Sequence, residues 1–108
     1  MPNISVKILR FINSEFPGWV ECVLFDANGQ SHFFIEKAPV VSSENLSASS
    51  NYPRHGVIGC ELESQWANGA GQMLACVCTD LPWGIESTAG ATRFVVLSSQ
   101  IICSEPST

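Results

Sequence analysis

Several groups of residues in this chain are of types that do chemistry. The stretch "DLPWGIESTAGATRFVV", Asp80 to Val96, holds Trp83 in a tight turn and then presents Glu86, Ser87 and Thr88. A catalytic serine needs a base in hydrogen-bond reach, an acid that orients the base, and an oxyanion hole. The two histidines, His32 and His55, are distant in sequence, and no G-x-S-x-G elbow surrounds Ser87. Backbone bonding by Ser87 and Thr88, with Gly90 as a corner, accounts for the same residues without a reaction. No catalytic residue is therefore assigned. The loop is read as a binding surface made of Trp83, Glu86, Ser87 and Thr88, because an exposed tryptophan is enriched where interfaces are anchored. Arg54 and His55, adjacent at the end of a polar stretch, add a pair that would grip an anionic ligand.

Cysteines are the next candidates. A hairpin centred near Asn68 would set Cys60 opposite Cys76 and Ile58 opposite Cys78, gathering three thiols on one face because residues i and i+2 of a strand point the same way. Structural zinc wants four ligands, commonly in pairs two residues apart, and Cys76-Val77-Cys78 has neither that spacing nor a fourth partner. Small buried hydrophobes are the expectation, with no metal and no cofactor. If Asn28-Gly29 is a two-residue turn, Glu21 faces Glu36, an arrangement that can serve acid–base work. Two glutamates pointing into water explain the pair more simply.

Strands must position these groups. Residues 4–12 alternate Ile4, Val6 and Ile8 with Ser5 and Lys7, the period of an extended chain. Further strands are expected over 19–26, 31–37, 57–64, 72–79 and 92–99. Asn28-Gly29 and Asn68-Gly69 supply hairpin corners. Between them the serine-rich segment 38–56 reads as a long crossover loop with one helical turn near Glu44. The fold class is all-β: a small antiparallel barrel of about six strands forming one domain over 1–108. The alternative is α+β with a short helix near 42–50.

In the two-residue register, both faces of the first hairpin carry large apolar side chains, so a loop or a second copy of the chain must cover one of them. Composition points the same way. Only 14 % of residues are charged, against roughly 25 % in a typical domain, so much of the surface is uncharged and suited to contacts. The net charge is −5 and the five basic residues are scattered, which excludes nucleic acid and anionic membranes as partners. An acidic module that neutralises a basic protein partner is one version of this reading. The first residues, "MPNISVKILRFIN", carry Lys7 and Arg10 inside an apolar stretch, unlike a signal peptide, so a cytoplasmic protein is expected. The function expected is a non-catalytic module that self-associates or binds a protein. The alternative is a small hydrolase or ligand-binding protein using the 80–91 loop.

Overall fold

Eight strands form in two antiparallel sheets; the computed structural model describes residues 2–103, so the ends of the expected 1–108 domain lie outside the described residues. The strands are β1 (Pro2–Asn13), β2 (Trp19–Phe25), β3 (Ser31–Lys37), β4 (Arg54–Gly59), β5 (Glu61–Ala67), β6 (Met73–Cys78), β7 (Arg93–Leu97) and β8 (Ile101–Cys103). The larger sheet runs β3-β2-β1-β4, with β8 also pairing to β1; the smaller runs β5-β6-β7. The all-β expectation holds. Closure into a barrel is not found among the described residues: the ladders end as two sheets. One helical turn, α1 (Ala38–Val41), forms ahead of the place expected for it near Glu44, and no helix occupies 42–50.

One hydrophobic core is built from both sheets. Ile4, Val6 and Ile8 of β1 are buried as their alternation predicts. They meet Val20, Cys22 and Leu24 of β2, Phe34 of β3 and Ile58 of β4. Ala75, Val77, Phe94 and Val96 close over them from the smaller sheet, and Phe34 meets Phe94 edge-on at a centroid distance of 5.7 Å. Burial pushes the Cys22 thiol up to about 12, with Glu36 and Glu21 adding to the effect, so it packs as a neutral hydrophobe.

Both hairpin registers differ from those expected, the two-residue turn at Asn28-Gly29 and the centring near Asn68, for one reason. Each corner has five residues, and only its fourth, Gly29 or Gly71, takes a positive φ (+79° and +82°). Asp26 and Asn68 open the two corners and hold them with side-chain bonds to backbone N–H groups, which fixes the longer loop. In the first hairpin the pairing slips by one residue. Val23 now faces Phe33, Glu21 faces Ile35, and Glu36 faces Val20, so the paired carboxylates do not form. Glu21 binds Arg10 instead, at 2.8 Å. In the second hairpin Cys76 faces Ser64, not Cys60, and Cys78 faces Glu61.

The expected strand 57–64 is two strands. The chain leaves the larger sheet at Gly59 and enters the smaller at Glu61. A Cβ on Gly59 would stand 2.8 Å from the Trp83 indole, so glycine is what lets the ring lie across this crossing.

Candidate functional site

The loop 80–91 is a piece of the scaffold. Buried Thr79 donates its hydroxyl to the Ile85 carbonyl at 2.7 Å, and the Ile85 N–H returns a bond to the Thr79 carbonyl at 3.0 Å. Gly84 N–H donates to Asp80 O, and the turn so closed drives Ile85 into the core. Ser87 is buried, its Oγ accepting from the Ala91 N–H at 3.0 Å, while Thr88 N–H donates to the Phe33 carbonyl on the edge of β3. The buried Ser87 hydroxyl thus braces the backbone of its own loop. Glu86 is exposed, and Trp83 is 64 % exposed despite its contact with Gly59. The three tryptophans do not make one platform. Trp19 faces Asn13 at one end of β1 and Gly59, under Trp83, faces Asn3 at the other; ten residues of strand span about 33 Å. Trp66 stands on β5, in the other sheet.

Arg54 and His55 both border one cleft, from different positions in the ladder. Consecutive residues of a strand point to opposite faces, and Arg54 pairs in the ladder with core-facing Ile8 while His55 pairs with Lys7. Arg54 is held by Glu44 of the long loop. His55 Nε2 shares a hydrogen bond of 3.0 Å with Ser5 Oγ on the outer face of the larger sheet. Among the described residues no carboxylate lies within bonding distance of His55, so the pair lacks the orienting acid of a hydrolytic triad. His32 serves structure: its Nε2–H donates to Asp26 Oδ2 at 2.9 Å and its ring meets Phe94 edge-on.

What the fold assembles lies elsewhere, on that outer face. His55, Lys7, Val23 and Phe33 are direct ladder partners across β4, β1, β2 and β3, so they form one row. Ser5 and Val57 form the adjoining pair on one side; Phe25 lies two residues beyond Val23 and Ile35 two beyond Phe33. The row therefore runs from polar and cationic to apolar. At its polar end lies a cleft of about 430 Å³ whose lining includes Ser5, Lys7, Val23, Phe25, Arg54 and His55. Phe25, Phe33 and Ile35 are 49, 40 and 39 % exposed, so the second apolar face is present and neither the long loop nor the 80–91 loop covers it.

No known protein family, curated protein or solved structure matches this chain. Chemistry at the site thus rests on its own geometry. Among the described residues no three His, Cys, Asp or Glu side chains come together as a metal site, and no helix is long and apolar enough to cross a membrane. Cys76 and Cys78 share the outer face of β6 near Glu63 and Arg93; burial, then Glu63, pushes the Cys76 thiol above its usual range and keeps it protonated.

Sequence reasoning reached His55 and missed its neighbours. Ser5 and Lys7 were legible as the solvent side of the first strand. Their partner was not, because 54–56 carries no strand signal of its own and is extended only by pairing with β1.

Proposed function

We propose that the protein is a non-catalytic interaction module, working in the cytoplasm, that receives a protein surface on the outer face of its larger sheet, a second copy of itself being the simplest such surface. The observation that carries this reading is the uncovered row of Phe25, Phe33 and Ile35 on adjacent strands. Isolated exposed apolar residues are ordinary, whereas a contiguous patch marks a contact surface. Each half-exposed side chain stands to gain about 1 kcal/mol on being covered. The low share of charged residues supports the same reading, since few charges need desolvation when two such faces meet. Five cysteines, an odd number, suit a reducing compartment that keeps them as thiols.

Sedimentation velocity over a concentration series tests it, with the double variant Phe33→Ser, Ile35→Ser as comparison. Assembly of the native chain that the variant lacks, with its thermal transition intact, is the expected result. A native chain that stays monomeric, and whose cross-linked partners in the source cell are the same set as the variant's, overturns the reading.

A further inference from the structure

Four of the five basic side chains are engaged: Arg10 by Glu21, Arg54 by Glu44, Arg93 by Glu63, and Lys37 over the Trp19 ring at 5.8 Å. Lys7 alone has no ion pair, hydrogen bond or ring contact among the described residues, in a chain with twice as many acidic groups as basic ones. That one unanswered cation stands in the cleft of about 430 Å³, a volume inside the roughly 300–1,000 Å³ of small-ligand sites. On one side of it lies the Ser5–His55 hydrogen-bonded pair. On the other lie Val23, its ladder partner, and the exposed ring of Phe25.

We propose that this cleft binds a small monocarboxylate carrying an arene or a short alkyl chain. One carboxylate oxygen accepts from Lys7 Nζ and the other from the Ser5–His55 pair, while the apolar chain covers Val23 and Phe25. Arg54 also borders the cleft but is already held by Glu44, so a second negative charge on the ligand would meet no free cation, and a dicarboxylate or a phosphate dianion is disfavoured. A neutral ligand would leave Lys7 unanswered. The net charge of −5 opposes an approaching anion only weakly at physiological salt, where charges are screened beyond about 8 Å, and the contacts that hold it are shorter than that.

The test is an amide-resolved NMR titration with 4-phenylbutyrate and with 4-phenylbutyramide, which keeps the chain and removes the charge. The acid is expected to shift the signals of Ser5, Lys7, Val23 and His55, and to bind at least about tenfold more tightly than the amide, the worth of one charge-assisted contact. Lys7→Gln should bring the acid down to the level of the amide. Arg10→Gln, which removes a cation from the same strand outside the cleft, should leave the preference intact. Equal binding of acid and amide, shifts confined to other parts of the surface, or an undiminished preference in Lys7→Gln would each overturn the proposal. The site shares Phe25 with the proposed partner face, but Lys7, the Ser5–His55 pair and the cleft are observations of its own. A monomer that binds the acid refutes the partner reading alone, and an assembling protein that ignores the acid refutes this one alone.

Discussion

At the β2–β3 corner, Asp26 Oδ1 accepts from the N–H groups of Asn28 and Gln30 at 2.9 and 3.0 Å; at the β5–β6 corner, Asn68 Oδ1 accepts from Ala70 and Gln72 at 2.9 and 3.0 Å. The backbone bonds that close the two corners also agree, and each places glycine fourth and glutamine fifth. The hairpins they make have different fates. Corner one is fastened to the smaller sheet, with Ala27 N–H donating to the Val95 carbonyl at 2.8 Å and Asp26 also holding His32 against Phe94. Its strands supply much of the core. In the second hairpin every residue of β5 is exposed, while β6 buries Ala75, Val77 and Cys78. Equal local chemistry has thus produced one hairpin with both strands in the core and one whose outer strand, β5, lies on the margin. Docking, not the corner, decides how much a hairpin contributes to stability.

The largest separation between the two should come from their big side chains. Phe34→Ala removes a fully buried ring packed edge-on against Phe94 and should cost about 3–5 kcal/mol. Trp66→Ala on β5 should cost about 1 kcal/mol or less, both read from denaturant midpoints at constant slope. Comparable losses would mean that β5 is a core strand after all. Next come the corner side chains. Asp26→Ala loses the corner bonds and strands His32, an expected cost of about 2 kcal/mol, whereas Asn68→Ala loses only the corner and should cost about 1 kcal/mol.

Acid titration sharpens the same contrast, because Asn68 has no proton to gain. Burial pushes the Asp26 carboxyl upward, but bonds from His32 and from the N–H groups of Gln30 and Asn28 outweigh it and hold the group below the usual carboxylate range. A lowered folded pKa means the stabilisation is complete above the unfolded value of about 4. It is lost as the pH falls through the lower folded one. Asp26→Asn should therefore flatten the acid end of the stability curve, and Asn68→Asp should leave the slope contributed by Asp26 in place. An unchanged acid limb in Asp26→Asn would show that this carboxylate carries no such linkage. The smallest contrast is expected at the glycines. Gly29→Ala and Gly71→Ala force a positive φ on a side chain with nothing nearby, so each should cost about 1 kcal/mol, equal within error. A clear inequality would show that docking reaches into the corner backbone.

How far the chain can be read in advance follows from the range of the interactions involved. Alternation along residues 4–8 and the turn residues at Asp26–Gln30 and Asn68–Gln72 are set by neighbours in sequence, so most strands and both corners were legible. Register was not. A bidentate aspartate makes a five-residue corner where Asn-Gly alone suggests two residues, and one residue of slip moves Phe33 onto the outer face beside Val23. The loop residues Ser87 and Thr88 were visible as polar, and their service to the backbone was foreseen as the simpler reading. The pairing of Ser5 with His55, fifty positions apart, was not legible.

By itself, the sequence determined an acidic, charge-poor all-β chain with two glycine-bearing hairpin corners and an inside-outside alternation on its first strand, because period and turn chemistry act over a few residues. The tertiary structure alone decided which strands share a sheet, that Gly59 must yield its space to Trp83, and that Lys7 meets His55 beside an apolar floor. Those outcomes depend on packing two sheets over one core, where the contact energy comes from residues that no local pattern connects.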